Sequence, residues 1–125
     1  MLYNERVILE GEWKGGAFYF IPFGSSTVGS IVLDFDPKLK TNVLIESLRR
    51  EDEDEKMVPV TNFSYHTKAH IKEFKNGVHL KKGQEFGHFE GGSAFVILFE
   101  HQNPNFEFSV QPPQYILYGN TLCKE

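Results

Sequence analysis

The sequence predicts a small, mainly-β domain, a sandwich or barrel with at most one short helix around residues 43–50. Three observations predict this. Aromatic residues recur in short apolar stretches, with 12 Phe and 5 Tyr in 125 residues, and such side chains fit a pleated, half-buried surface. Turn signals separate these stretches at close spacing: Gly15-Gly16, Asn76-Gly77, Lys82-Gly83, Gly91-Gly92 and Gly119. Apolar residues make up 40% of the chain and charged ones 24%, enough to bury one core but not two, so residues 1–125 are expected to form one domain.

The elements follow in order. A first strand is expected from Arg6 to Trp13, then the Gly15-Gly16 turn, then "AFYFIPFG", with Pro22 reducing the end of that strand to an edge or bulge. A third strand over Ser30 to Phe35 has Ile31, Leu33 and Phe35 on one face. The pattern then breaks. Val43, Leu44, Ile45 and Leu48 fit a short helix, and residues 46–58 form an acidic insertion, read as a solvated loop or a surface for a basic partner. Strands are expected again in "VPVTNFSYHT" and "AHIKEFK", with a hairpin turn at Asn76-Gly77 leading to a short strand near Val78. After Lys82-Gly83 comes another short strand, then Gly91-Gly92, then a core strand, Ala94 to Phe99. "NFEFSV" alternates, and "PPQYILYGNTLCKE" closes the chain with a strand and a turn at Gly119. Trp13 and the phenylalanines are read as core.

Composition narrows the function classes. The net charge is −4, so no nucleic-acid surface is expected. The single cysteine, Cys123, makes no internal disulfide and is read as inert. His66, His70, His79, His88 and His101 are scattered, without the spacing of a metal site, and are read as surface or satisfied core histidines. No stretch approaches the roughly 18 apolar residues of a membrane span. "MLYNERV" does not read as a secretory signal or transit peptide.

The chemistry concentrates at Gly91-Gly92-Ser93, at the mouth of the apolar run "FVILFE". This is either a tight turn without chemistry or a reactive Gly92–Ser93 bond. The pattern from Val78 to Gly87, with "YILYGNTL" further on, resembles the barrel-sandwich hybrid of biotinyl and lipoyl domains, whose strands turn corners at glycine. Those carriers present a lysine on a hairpin, and here no lysine occupies that place, which argues against a carrier.

Four motifs in order, "NERV" at 4–7, "FGSSTVGSI" at 23–31, "FDPKLKTN" at 35–42 and "KGQEFGHFEGGSAFVILFE" at 82–100, resemble the C-terminal part of the mitochondrial-type phosphatidylserine decarboxylases. The resemblance covers nearly the whole chain and implies that Ser93 is a pyruvoyl precursor and Gly92 its partner across the cleavage site. In that family the serine hydroxyl attacks the preceding carbonyl. The resulting ester is eliminated and hydrolysed, leaving a pyruvoyl group that takes up the amine of phosphatidylserine and acts as an electron sink as carbon dioxide leaves. A His held by an Asp serves as base, in a part of the family's sequence upstream of the matched stretch. The membrane-binding helices also lie there. Within this chain His88 is the local candidate for a replacement base.

The sequence departs from the family at three places. Ala94 stands where Thr or Ser is usual, Gly91 where Leu or Val is common, and Pro112-Pro113 where a glycine precedes the last strand. The resulting expectation is a non-catalytic, decarboxylase-like protein that needs no cofactor and is retained as a subunit of a mitochondrial, inner-membrane-associated assembly. Its partners would be other protein subunits, with phospholipid contact. The alternative is an active pyruvoyl-dependent decarboxylase whose upstream half is supplied by another chain or is absent from this one.

Overall fold

A computed structural model describes residues 4–24, 30–42, 55–59, 68–92 and 94–124. Among these residues nine strands run in chain order: β1 Leu9–Trp13, β2 Gly16–Phe23, β3 Ile31–Leu33, β4 Glu55–Pro59, β5 Lys68–Lys72, β6 Gly87–Phe89, β7 Ala94–Phe99, β8 Glu107–Phe108 and β9 Cys123–Lys124. No helix occurs among the described residues, so the mainly-β expectation holds, as several small sheets and not a closed barrel. The short helix expected at 43–50 lies outside the described residues. The chain divides into two compact units, one of Met1–Asn42 with Glu85–Glu125 and one of Val43–Gln84.

In the first unit, β2 is the central strand of a three-stranded antiparallel sheet ordered β1-β2-β7. The turn between β1 and β2 requires glycine twice. Gly16 has φ +128°, and a Cβ on Gly15 would lie 2.5 Å from the Trp13 ring and 2.7 Å from the Glu100 carbonyl. Trp13 is held there because its indole N–H donates to that carbonyl at 2.9 Å. Its ring meets Phe99 edge-on at 5.5 Å. Phe106 and Phe108 extend the cluster, packing against Phe99 and each other, an arrangement that favours edge-to-face contacts.

Pro22 corrects an expectation. It sits inside the central strand, opposite Phe95, and is fully buried. The reason is directional. Its carbonyl accepts the Val7 N–H at 3.1 Å, so its nitrogen faces the β1 side too. The missing donor therefore falls between the last regular β1 pair, Leu9 with Phe20, and an isolated bridge between Arg6 and Phe23, and the ladder to β7 is untouched.

The second correction is β7. Its bounds are those expected, but it is an edge strand with Phe95 51% and Leu98 54% exposed. A continuous apolar run is ordinarily the mark of a strand buried on both faces. Beside Pro22, the buried apolar side chains among the described residues are Ile31 and Leu33 on β3, two of the three expected on that face, where β3 pairs with β6. Each contributes about 1.5–3 kcal/mol by leaving water. Asp36 is also buried beyond β3, with its N–H donating to the Leu33 carbonyl and its carbonyl accepting from Leu39, both at 3.0 Å.

The closing strand expected in "YILY" does not form. Asn120 uses both backbone groups of Leu117, donating its N–H to the carbonyl and accepting the Leu117 N–H on Oδ1, each at 3.0 Å. Such local bonds compete with a ladder. Tyr115, Leu117 and Tyr118 are exposed, and β9 forms further on, against β8.

In the second unit, β4 and β5 form an antiparallel pair with Glu55 opposite Lys72 and Pro59 opposite Lys68. Residues 55–58 of the acidic stretch thus stand in a strand, while 46–54 lie outside the described residues. Asn76-Gly77 makes a turn closed by Gly77 N–H to Phe74 carbonyl, 2.7 Å. The short strand expected near Val78 does not form over residues 78–84. Gln84 occupies both backbone groups of Lys81, as Asn120 does those of Leu117.

Candidate functional site

Ser93 lies outside the described residues; its neighbours on both sides are placed. Phe89 is fixed by pairing with Ile31, and Ala94 by pairing with Phe23. The chain between Phe89 and Ala94 therefore connects the β3-β6 ribbon to the edge of the three-stranded sheet. The motif "FGSSTVGSI" begins at Phe23 and ends at Ile31, so the same two anchor pairs frame both connections. One bond ties the connections together, Glu90 N–H to Ser30 carbonyl at 3.2 Å.

Gly92 has φ +73°, and a Cβ built there meets nothing within 4 Å. Glycine is thus needed for backbone freedom and not for lack of room. Gly91 and Gly92 are both exposed, so the backbone beside the candidate bond is open to approach. Ala94 puts a methyl at the first position of β7, where the resembled family carries a hydroxyl.

The motifs that lie far apart in sequence meet around Ser30. Thr41 Oγ1 accepts the Ile31 N–H at 2.6 Å and donates to the Ile31 carbonyl at 3.3 Å. Asn42 donates its backbone N–H to the Glu5 carboxylate, and its side-chain amide donates to Ser30 Oγ at 3.4 Å. Asn4 donates to the Gly24 carbonyl, and the Gly24 N–H returns a bond to the Glu5 carbonyl at 3.0 Å. Ser30 and Asn42 both take positive φ, 52° and 58°, unusual for residues with a Cβ. Sequence reasoning marked these residues only as parts of motifs. Their presence in the motifs was the one available signal, because the contacts join positions up to 37 residues apart.

The histidines stand as follows. His88 is exposed on β6 with Val32 as its paired residue. His101 is structural. Its Nδ1 accepts the Asn103 N–H at 3.0 Å, and its ring packs on Phe106 at 4.5 Å and Trp13 at 5.6 Å. His70 stands on β5, His79 follows the Gly77 turn, and His66 lies outside the described residues. Cys123 is a free thiol on β9. Among the described residues, Tyr19 on β2 is a perturbed titrating group. Its hydroxyl donates to Glu10 at 3.2 Å, and that bond, with the carboxylate's charge, raises the phenol above its ordinary value.

The sequence model of the family described as phosphatidylserine decarboxylase matches residues 1–124. This chain belongs to the phosphatidylserine decarboxylase family. It is 35% identical to the mitochondrial phosphatidylserine decarboxylase proenzyme 1 of Candida albicans, over 95% of this chain and 25% of that protein. It is equally similar to the mitochondrial proenzyme of Rattus norvegicus, over 96% of this chain and 26% of the relative. The mitochondrial proenzyme 1 of Saccharomyces cerevisiae is also 35% identical, over 95% of this chain and 22% of that protein. The chain thus spans about a quarter of the length of the curated relatives it matches. No solved structure matches it.

Proposed function

We propose that this chain is the serine-bearing part of a pyruvoyl-dependent phosphatidylserine decarboxylase, converting phosphatidylserine to phosphatidylethanolamine and carbon dioxide. It would act together with polypeptide equivalent to the rest of its relatives' length. The observation that carries this reading is Gly92: exposed, left-handed and free of neighbours on the side where a Cβ would stand, directly before Ser93. That geometry fits a residue whose carbonyl carbon must be reached by the next hydroxyl. In the first step a bond forms from Ser93 Oγ to the Gly92 carbonyl carbon. The Gly92–Ser93 C–N bond breaks, and the hydroxyl proton ends on the released amine. A pyruvoyl group at residue 93 would supply an electron sink for the loss of carbon dioxide.

Serine needs a base to give up its proton. His101 is committed to Asn103 and two aromatic rings, and His88 is exposed on β6 with Val32 as its register partner. The base therefore comes, in this reading, from the completing polypeptide. The relatives' names support a mitochondrial address, and contact with phospholipid at the inner membrane is part of the proposal. Among the described residues no helix is long and apolar enough to cross a membrane.

Two observations favour a second reading, a non-catalytic subunit of a mitochondrial assembly: the methyl of Ala94 beside the candidate bond, and the apolar side chains of Phe95, Val96 and Leu98 exposed on β7. Denaturing mass spectrometry separates the two. The chain alone should remain one species of 14.4 kDa. Mixed with the upstream polypeptide of a relative, it should yield two pieces divided after Gly92, and Ser93→Ala should stay whole. An intact wild-type chain in that mixture, with no carbon dioxide released from phosphatidylserine vesicles, would refute the decarboxylase reading.

A further inference from the structure

The geometry points to Ser30 as a positioning residue for the cleavage segment, holding residues 90–92 through its main-chain carbonyl while Thr41, Asn42 and Glu5 hold Ser30 itself. This rests on the decarboxylase reading above. Three facts on the molecule converge on it. The Ser30 carbonyl accepts the Glu90 N–H, a contact three residues from Ser93 that joins the two connections between the sheets. Ser30 sits at φ 52°, which residues with a Cβ adopt at a cost and keep where their surroundings hold them. Those surroundings are present. Thr41 Oγ1 closes on both backbone groups of Ile31, the next residue, and Asn42 reaches Ser30 Oγ while anchored to Glu5.

The arrangement works as a template. The left-handed turn at Ser30 aims its carbonyl at Glu90, and pairing of Phe89 with Ile31 fixes the chain just before that point. Only Gly91 and Gly92 then separate the held Glu90 from the reactive residue, so the backbone angle at Gly92 is set over a span of two glycines. Left unheld, two consecutive glycines would sample many orientations, and few of them bring a hydroxyl onto the preceding carbonyl.

The test uses conformation as its discriminator. Ser30→Gly keeps the carbonyl and adopts positive φ freely, whereas Ser30→Val keeps the carbonyl but resists positive φ. Amide hydrogen exchange at Glu90 is read in the 125-residue chain, and scission after Gly92 is read in the mixture with the upstream polypeptide. Ser30→Val should speed Glu90 exchange about fivefold to tenfold, as expected for loss of one backbone bond, and slow scission by at least as much. Ser30→Gly loses the Oγ that Asn42 reaches but takes positive φ freely, so it should stay nearer the wild type than Ser30→Val on both. Thr41→Val, nearly isosteric, should give an intermediate effect on both and serves if Ser30→Val does not fold. Unchanged Glu90 exchange in folded Ser30→Val or Thr41→Val overturns the inference, as does Ser30→Gly behaving like Ser30→Val. A wild-type mixture that never cuts refutes the decarboxylase reading separately. The positioning of residues 90–92 is then judged on Glu90 exchange alone.

Discussion

Gly92→Ala gives a calculable perturbation because the structure removes one of the two usual penalties. A Cβ at residue 92 meets no atom within 4 Å, so there is no clash. What remains is the left-handed backbone at φ +73°, which costs an L-residue about 1–2 kcal/mol. The folded chain can keep that angle and lose about that much stability, or relax it and lose the geometry of the segment. In the second case the cleavage-ready conformation falls in population by about 5–30-fold, and scission slows by the same factor. A synthetic chain carrying D-alanine at position 92 has the same methyl and prefers positive φ, so it should cut at the wild-type rate. Denaturant unfolding of the chain gives the stability arm, and the time course of scission in the completed mixture gives the kinetic arm. If L- and D-alanine slow scission equally, backbone angle is not what Gly92 supplies, and the argument from its φ fails.

Other expectations are as direct. Leu33→Ala empties a buried apolar position on β3 and should cost about 2–5 kcal/mol, seen as a large drop in the denaturant midpoint. Gly15→Ala drives a methyl into the Trp13 ring and the Glu100 carbonyl, and should cost about 1–3 kcal/mol. Because Trp13 is the single tryptophan, its emission should shift to the red; an unshifted spectrum would show that the turn adjusts without moving the ring. The Tyr19 phenol titrates above its ordinary value near 10 because it donates to Glu10. The raised value favours the protonated form in the folded chain, so that contribution is present at neutral pH and is lost as pH rises through the raised value. Glu10→Gln should return the Tyr19 titration toward the ordinary range in an alkaline absorbance scan, and an unmoved curve would exclude Glu10 as the cause.

The parts of the fold legible in the sequence are those decided locally. The bounds of β7, the inward face of Ile31 and Leu33, and the turns at Gly15-Gly16 and Lys82-Gly83 follow from side-chain pattern and glycine alone. The place of Pro22 is not legible locally, because its tolerance depends on which side of β2 its nitrogen faces, and that is settled by Val7, 15 positions away in sequence. "FVILFE" reads as core because apolar runs usually are, yet burial depends on what lies against a strand, and β7 is at an edge. "YILY" and "VHLKK" have strand composition, but Asn120 and Gln84 capture the backbone groups a ladder would use. At the site, the sequence pointed to Gly92 and Ser93 through the resemblance. It left the joining of Glu5, Ser30, Thr41 and Asn42 unread, since separate motifs show no distances.

The two anchors of the 90–93 crossing bear on what a cut chain would be. Phe89 is held by Ile31, and Ala94 begins six successive pairs with β2, so the bond between residues 92 and 93 joins two pieces that are each secured elsewhere. Severing it leaves a split protein whose halves are knit by a shared sheet, with β7, β8 and β9 all on the short piece. Its cohesion then becomes an association equilibrium, sensitive to dilution where the uncut chain is not. A nicked molecule would keep its shape at high concentration and shed residues 93–125 as it is diluted, with Phe95 and Leu98 left to find another surface.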